Sequence, residues 1–531
     1  MSGGSTKLIF PIPSSLQELE SPPYNLLPYP HDFDDDDEAA RAESFNRLIR
    51  LLEAGNRTLL SAGMGLFEEE DEGEEDYDVW NDESRMQALY TLVRKSDSLA
   101  PATRARLVKL LCDAVHGLCD ALSSSSPSSS SGAAARSRTL SSRRGNVEEE
   151  VAGGLTANAN APTYVVSQGF RDALACHIYM LYTLMFLTES KEKLGKSLGT
   201  TTTAAGGSKK GGGGAGGKSK KTPSDKSSDD RAACAEAMHV ASVAMSTHKS
   251  TLWKRSVPDE AVVGLPCRIA YQMLESATGV IARKASSGDR ALGTLAATLD
   301  SAPCLLNTIV SALVDLLHTY EHMAPMVAEL CTMVDERPTN VLATELLREI
   351  GRLDTSGYVD SGAAGNKASG IKNVAPFVSE LAAVRPRVVL SNISLLLPHL
   401  DSEPYVLRSA IINSIGHILV REDRSLIDVR DGDVGQSPGE GGEGGGKEER
   451  QIVNMAKTRA SLFDILCDRT RDITSFTRAA SLKVLNDLTE KQSLPLDRVM
   501  PVTAIAIDRL QDKTVMVRRN AMQVSVMSPP V

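Results

Sequence analysis

Apolar residues recur at intervals of three and four along much of this chain, the spacing that places them on one face of an α-helix. The pattern is clearest in the last third, for example at Ile411, Ile415 and Ile418, and again at Val484 and Leu488. A single helical pair cannot bury such a face alone, so neighbouring pairs must stack. The pattern therefore predicts an all-α protein built from packed helices.

The same spacing predicts where the helices lie. We expect helices over residues 39–62, 83–122, 166–190, 231–248, 259–284, 302–319, 323–334 and 339–353, followed by an array of helices over 371–524. Aromatic residues make up only 4% of the chain, which suits interdigitating helices better than a β-sandwich.

A short unit repeats within that array: an apolar helix, an Asp at a turn, and an Arg six or seven residues later in a second apolar helix. It appears as HLDSEPYVLRSAI at 399–411, RTRDITSFTRAAS at 469–481 and RLQDKTVMVRRNA at 509–521. The second and third arginines are 40 residues apart, and the first and second are 70 apart with an insert of about 30 between them. A period near 40 is typical of HEAT or armadillo solenoids. We therefore predict an α-solenoid with disordered low-complexity insertions, a fold that usually binds partners.

Each member of the repeated unit has a predicted structural role. The acidic members are Asp401, Asp472 and Asp512, and the basic members are Arg408, Arg478 and Arg518. We expect each Asp to be an N-cap that accepts a hydrogen bond from the free N–H groups opening the following helix. Each Arg lies one to two turns further on, where its guanidinium can reach the turn or the Asp of a neighbouring unit. The prediction is a ladder of contacts that supports the fold.

Low-complexity segments divide the chain. The predicted organisation is an N-terminal helical region at 1–122 with an acidic segment at 32–78, a Ser-rich linker at 123–161, a helical segment at 162–194, a disordered Gly/Lys-rich linker at 195–230, helical repeats at 231–353, a loop at 354–370, a HEAT-repeat array at 371–524 with a disordered insert at 428–450, and a tail at 525–531. Linkers of this composition cannot bury enough apolar surface to fold.

Charge and cysteine content restrict the class of protein. The net charge is −10, and residues 32–78 alone hold 17 acidic and 4 basic side chains, so the acidity belongs to one segment. The eight cysteines include no CxxC pair and most lie in apolar runs, which indicates small buried side chains in a reducing compartment. There is no secretory signal pattern and no apolar stretch long enough for a membrane span. We expect a nuclear or cytosolic protein without a membrane partner.

Few sequence features point to chemistry, and each has a simpler interpretation. Residues 212–219, GGGAGGKS, match the phosphate-binding pattern GxxxxGK[ST], but they lack the strand before and the helix after that such a loop needs. His318 and His322 are four residues apart on a predicted helix, with no third metal ligand in view. Because HExxH and GxSxG are also missing, we predict no enzymatic activity, no cofactor, no metal site and no small-molecule substrate.

Two sets of basic residues are candidates for other contacts. Lys513 and Arg519 have no role in the repeated unit and are candidate phosphate contacts, since residues 451–531 hold 12 basic and 8 acidic side chains. The Gly-rich tract carries a candidate nuclear-import cluster, which consists of Lys209, Lys210, Lys218, Lys220 and Lys221. A solvated linker is the simpler interpretation of that cluster.

The sequence also resembles one family, the HEAT-repeat subunit 1 of the condensin complex, its regulatory D subunit. The similarity is best over GIKNVAPFVSELAAVRPRVVLSNISLLLPHLDSEPYVLRSAIINSIGHILV (370–420) and continues over 461–523. Further similar stretches are LWKRSVPDEAVVGLPCRIAYQMLES (252–276) and LVDLLHTYEHMAPMVAELCTMV (313–334), with a weaker one at 9–20. The helical pattern breaks at VSVMSPPV, whereas family members continue, so we expect this chain to be an N-terminal portion.

The resemblance implies a non-enzymatic scaffold that docks on the condensin kleisin and, through it, joins the SMC ATPase pair. Such a complex engages DNA and condenses mitotic chromosomes, so the implied localisation is the nucleus and chromosomes, with cytoplasmic residence in interphase. The resemblance transfers no individual contact residue to this chain. The repeat period alone leaves an alternative, a HEAT or armadillo transport receptor or another solenoid adaptor that binds peptide segments.

Overall fold

The computed structural model describes residues 49–50, 89–90, 92–93, 96, 99–124, 166, 168–198, 223–253, 258–276, 286–335, 341–353, 366–432 and 445–527. Within these ranges the chain is helical, apart from turns and one isolated bridge in which the Val166 N–H donates to the Thr251 carbonyl at 3.0 Å. The prediction of an all-α fold is confirmed.

Helices account for nearly all of the described ranges. In chain order they are α1 (Pro101–Ser124), α2 (Gln168–Leu198), α3 (Pro223–Thr247), α4 (Lys249–Leu252), α5 (Glu260–Ser276), α6 (Ser286–Ser301), α7 (Leu306–Thr319), α8 (Met323–Asp335), α9 (Leu342–Gly351), α10 (Asn366–Val384), α11 (Pro386–Leu396), α12 (Tyr405–Gly432), α13 (Gly445–Arg469), α14 (Ser475–Glu490), α15 (Leu496–Arg509) and α16 (Val515–Met527). A 3₁₀ turn, Pro303–Leu305, precedes α7, and another, Leu397–Asp401, follows α11.

Several helix ends differ from the predicted boundaries. Helix α3 begins at Pro223, inside the predicted linker 195–230, and α12 and α13 reach Gly432 and Gly445, inside the predicted insert 428–450. Once an apolar segment has nucleated a helix, each further residue adds one hydrogen bond, so polar residues extend it. Proline at the first helical position also suits the start of α3. Helix α2 likewise reaches Leu198, inside the linker 195–230. Residues 199–222 and 433–444 of these linkers, and most of the acidic segment 32–78, lie outside the described residues.

The chain forms two compact units. The N-terminal unit runs to Met273 and includes 282–305, and in it α3 packs against both α1 and α6 while α2 contacts α1 and α3. Its interior is apolar, and its fully buried members include Leu111, Val115, Phe170, Tyr179, Met245 and Leu295. Arg290 of α6 pairs with Glu236 of α3 at the edge of this packing.

The C-terminal unit consists of 274–281 and the residues from Leu306 onward. Helices α8, α10, α12, α14 and α16 pack side by side in sequence and form what we call the even-numbered layer, while α7, α9 and α11 pack successively in a second layer. Helix α13 contacts α12 and α14, and α15 packs on α16. The unit is therefore a HEAT/armadillo-like stack of antiparallel helical pairs, in agreement with the predicted solenoid.

Small residues set the closeness of this stack. Ala479 and Leu482 of α14 form a buried cluster with Val517 and Ala521 of α16. Between α12 and α14 the critical residue is Gly416, because a Cβ atom there would lie only 2.7 Å from Cγ1 of Val484. Real Cβ atoms essentially never come this close to another heavy atom, so the two helices approach closely only because position 416 has no side chain.

Within the described ranges, no single helix is both long and apolar enough to cross a membrane. One bent pair, Gly288–Ser301 with Pro303–Thr319, meets the criterion only when both helices are counted together. The cysteines are all unpaired, and six of the eight are buried. The exceptions are Cys304, which is exposed, and Cys467, which is partly exposed.

Candidate functional site: the arginine ladder

The repeated arginines first bind the turn of their own repeat. Nη1 of Arg478 donates to the carbonyl oxygens of Asp472 at 2.9 Å and Ile473 at 3.1 Å. Nη1 of Arg518 donates in the same way to the carbonyls of Asp512 and Lys513, at 2.7 and 3.1 Å. In each case the acceptors lie six and five residues before the arginine. The side chain thereby closes the turn that precedes its helix and satisfies carbonyls that the helix itself cannot reach.

Arg408 repeats this arrangement one unit earlier. Its Nη1 donates to the carbonyl oxygens of Ser402 and Glu403, again six and five residues before it, the second at 3.1 Å. The equivalent positions of the three turns are therefore Ser402, Asp472 and Asp512.

The outer edge of each guanidinium crosses to the next repeat. Nε and Nη2 of Arg478 donate to the two carboxylate oxygens of Asp512, at 2.9 and 3.0 Å. Nη2 of Arg408 donates to Oδ1 of Asp472 at 3.2 Å and to Oγ1 of Thr474 at 2.7 Å. A planar guanidinium has the donors for such a two-sided contact, and an ammonium does not. Each of these two arginines therefore ties two successive turns together.

These contacts are removed from solvent. The Arg408 and Asp472 side chains are only 4% and 3% exposed, and those of Arg478 and Asp512 are 14% and 5% exposed. The hydrogen bonds from Arg478 hold the pKa of Asp512 below its ordinary value, and the Thr514 N–H acts in the same direction while burial opposes it. A buried carboxylate is stabilised only when it is paired and hydrogen-bonded, and both conditions are met here.

The predicted N-cap role of the aspartates is wrong. Oδ1 of Asp472 accepts from the Thr474 N–H at 2.8 Å, and Oδ1 of Asp512 accepts from the Thr514 N–H at 2.9 Å. Both bonds span two residues and close the turn just before the helix, since α14 and α16 begin one residue after each threonine. The aspartates are therefore turn residues that lie outside the helix.

Asp401 departs further from the prediction. It lies one residue before the equivalent turn position, its side chain is 79% exposed, and Oδ1 accepts from Nη2 of Arg469 at 2.7 Å. The equivalent position holds Ser402, and the residue two further on is Pro404. Proline has no N–H, so a carboxylate at position 402 would lack the turn bond that Asp472 and Asp512 accept.

Other contacts between repeats were not apparent from the sequence. Nη1 of Arg469 donates to the Leu400 carbonyl at 3.0 Å, Nη2 of Arg385 to the Thr332 carbonyl at 2.7 Å, and Nη2 of Arg459 to the Ser493 carbonyl at 2.7 Å. The rings of Tyr405 and Phe476 also stack across two repeats, with centroids 4.8 Å apart. Arg469 does recur, since Arg509 lies 40 residues further on and each is three residues before the aspartate of its turn, so this spacing was a signal that was missed. The bonds of Arg385 and Arg459 end on backbone carbonyls, which leave no mark in the sequence.

The remaining candidates are surface residues or lie outside the description. Lys513 and Arg519 are both exposed near the start of α16, as a contact to a polyanion requires. The lysine cluster Lys209, Lys210, Lys218, Lys220 and Lys221 and the loop-like motif at 212–219 lie outside the described residues.

The two histidines do not lie on one helix. His318 is in α7, but His322 follows the end of that helix, so the two rings do not share one helical face. Burial lowers the pKa of His318, and Nε2 of His322 lies 3.0 Å from the Leu274 carbonyl oxygen. Among the described residues, no three His, Cys, Asp or Glu side chains gather as a metal site.

Comparison with known sequences gives consistent matches. Residues 101–286 match the family model described as non-SMC mitotic condensation complex subunit 1, N-terminal part. Condensin complex subunit 1 of Mus musculus is 28% identical over 274 residues, which are 51% of this chain and 18% of the relative. The condensin-1 complex subunit CAP-D2 of Arabidopsis thaliana is 25% identical over 279 residues, 52% of this chain and 18% of the relative. The match thus spans less than a fifth of these relatives.

Comparison with known structures gives weaker overlays. A homology model of the full-length AP-3 complex in an intermediate open conformation has a TM-score of 0.31 and 12% identity, covering 85% of this chain and 64% of that one. The crystal structure of Kap121p bound to Nup53p has a TM-score of 0.24 and 11% identity, with coverage of 93% and 44%. Overlays at these TM-scores do not define the fold, which is assigned from the helices and their packing.

Proposed function

We propose that this chain is a non-catalytic scaffold subunit of a condensin complex, because residues 101–286 match the family model described as non-SMC mitotic condensation complex subunit 1. The family match is the observation that carries the proposal. The stacked helices of the C-terminal unit support it, since a solenoid presents a long surface to partners and needs no reactive site.

The partner of this scaffold is the condensin kleisin, and through the kleisin the chain joins the SMC ATPase pair. A kleisin segment that lies along stacked helices contacts several repeats at once, so the repeats must keep a fixed spacing and rotation. The ladder through Arg408 and Arg478 supplies that rigidity, because each guanidinium bonds two successive turns. The expected location is the nucleus and chromosomes, with cytoplasmic residence in interphase.

The test is co-purification of the 531-residue chain with the condensin kleisin of its own organism. We expect the two to co-elute on size exclusion, and the kleisin of a different SMC complex serves as the specificity control. A transport receptor would instead bind a GTP-loaded small GTPase or peptides with nuclear-import signals. Failure to bind the condensin kleisin, with circular dichroism showing a helical chain, contradicts the docking proposal.

Contact with DNA is a separate part of the proposal, carried by the exposed charges of Lys513 and Arg519. Each phosphate contact contributes roughly 0.9 to the slope of log K against log salt concentration. Reversing both charges, Lys513→Glu with Arg519→Glu, should reduce that slope by about 2 in a titration with a duplex oligonucleotide. The matched control, Lys372→Glu with Lys457→Glu, makes the same change in charge at two other exposed positions. Equal effects of the two double variants would contradict a local contact.

A further inference from the structure

A cleft of about 200 Å³ lies on the even-numbered layer, between α12 and α14 with α10 at one end. Its walls carry polar and charged side chains. Asn413 and His417 come from α12, Lys483 and Asp487 from α14, Lys491 from the residue after α14, and Ser379 from α10. Its remaining lining residues are Gly416, Val420, Val484 and Leu488. The cleft is distinct from the arginine ladder, which lies at the turns.

Three polar groups of this cleft, those of Asn413, Lys483 and Lys491, are not used by the fold. Asn373 and Asn520 each donate across to a carbonyl of a neighbouring helix, that of His318 or Ala479, at 2.9 and 2.8 Å. The Asn413 amide, by contrast, makes no hydrogen bond within the described part of the chain. The same holds there for the charged ends of Lys483 and Lys491. These groups are therefore available to a ligand.

The spacing of the charges indicates the shape of that ligand. Lys483 lies in α14 and Lys491 directly follows its last residue, so the two are eight residues apart, a rise of about 12 Å. An extended peptide advances about 3.3 Å per residue, so side chains four residues apart are separated by about 13 Å and point to the same side. Two acidic residues at positions i and i+4 of an extended peptide therefore match the two lysines. The residue at i+2 points to the same side and meets the wall midway between the lysines, at the level of Asp487, so it must not be acidic.

The charge between the lysines argues against a nucleic acid. Asp487 lies midway along the same wall, about 6 Å of helix rise from each lysine. A phosphate backbone carries negative charge at every step and would place one against this carboxylate. A peptide with acidic residues only at its two outer positions avoids the repulsion, and its backbone can bond the Asn413 amide.

We propose that the cleft between α12 and α14 binds an extended peptide segment with the pattern acidic, any residue, uncharged, any residue, acidic. The ligand is a protein segment in trans. The cleft recognises it through Lys483 and Lys491 at the two acidic positions and through Asn413 at the peptide backbone. The assignment depends on the geometry of the C-terminal unit and is independent of the condensin assignment.

Fluorescence anisotropy with the full chain tests the proposal. The probe is the labelled peptide Gly-Ser-Glu-Ser-Leu-Ser-Glu-Ser-Gly, and the matched peptide Gly-Ser-Glu-Glu-Leu-Ser-Ser-Ser-Gly has the same composition with adjacent acids. We expect the first peptide to bind more tightly. Lys483→Glu with Lys491→Glu should weaken its binding at least about tenfold, whereas Asp487→Asn should tighten it about twofold.

The opposite signs of these two effects separate recognition from damage to the fold, which would weaken binding in both variants. Lys372→Glu with Lys457→Glu again controls for net charge and should change the affinity little. Equal binding of the two peptides, or equal loss in the cleft and control variants, would overturn the proposal. So would a duplex oligonucleotide that loses affinity in the cleft variant while the peptide does not.

Discussion

Arg478 bonds both the turn of its own repeat and the aspartate of the next repeat, whereas Arg518, within the described part of the chain, bonds only its own turn. Comparing the two arginines therefore separates the two contacts experimentally. Both arginines donate from Nη1 to two carbonyls of their own turn. Only Arg478 also binds a carboxylate, that of Asp512, whereas Nε and Nη2 of Arg518 bond nothing in the described ranges. We therefore compare Arg478→Met with Arg518→Met, since methionine keeps an unbranched apolar stem and removes every donor.

The structure sets the size of the expected difference. Both variants lose the bonds to the carbonyls, a cost of about 1–2 kcal/mol. Arg478→Met also leaves the carboxylate of Asp512, 5% exposed, with the Thr514 N–H as its hydrogen-bond donor and Nη1 of Arg509 at 3.9 Å. Breaking a buried ion pair in this way costs about 3–5 kcal/mol in total. The difference between the two variants should therefore be about 2 kcal/mol, or roughly 30-fold in an equilibrium constant.

Hydrogen exchange measured by mass spectrometry is the suitable assay, because a stack of repeats opens locally and a single melting temperature averages over it. Amides in 471–479 and 511–519 should exchange roughly 30-fold faster in Arg478→Met than in Arg518→Met. A double-mutant cycle with Asp512→Asn, which keeps the acceptor for the turn bond, should give a coupling energy of about 1–3 kcal/mol. Equal effects at the two arginines, or additivity in the cycle, would refute the reasoning.

Two further predictions follow from the same region. The folded-state pKa of Asp512 is lowered, so its carboxylate should contribute fully to the stability of the fold above the unfolded-state pKa of about 3.9. That contribution should disappear as pH falls through the lower folded-state pKa. Hydrogen exchange of residues 511–519 at decreasing pH should show this loss of stability, and the Asp512→Asn variant should not show it. Gly416→Ala should destabilise α12 and α14 by about 1–3 kcal/mol through contact with Val484, and Val484→Ala should restore part of this loss; a neutral Gly416→Ala would contradict the close approach.

The sequence predicted the helical stack well because apolar spacing is a local property. It also led to the pairing of Arg478 with Asp512, because the recurring spacing placed an arginine within reach of the next turn. It did not predict the register of the turn. The sequence places Asp401 seven residues before Arg408 and suggests that it is the turn residue of this repeat. The hydrogen bonds from Arg408 to the backbone show that Ser402 occupies the position of Asp472 and Asp512. That register depends on hydrogen bonds to the backbone, which residue identities do not record.

The cleft was missed for a related reason. Lys483, Asp487 and Lys491 are spaced by four and look in the sequence like an ordinary solvated helix face. Only the packing of α12 against α14 places Asn413 and the glycine at 416 opposite them. A site formed by two helices about 70 residues apart in the sequence has no local signature.

The arginine ladder and the cleft lie at different places in the stack, so the cleft residues can be substituted without disturbing the contacts that hold the repeats together. The contacts that fix one repeat against the next lie at the turns, where Arg408 and Arg478 bond neighbouring backbones and carboxylates, and in the small apolar residues between helices. The charged ends of Lys483 and Lys491 take part in neither. Substitutions at these lysines should therefore alter recognition at little cost in stability, because surface changes away from such features usually cost under about 0.5 kcal/mol. Substitutions at the ladder should loosen the packing of successive repeats and lower the binding affinity of every partner that spans them.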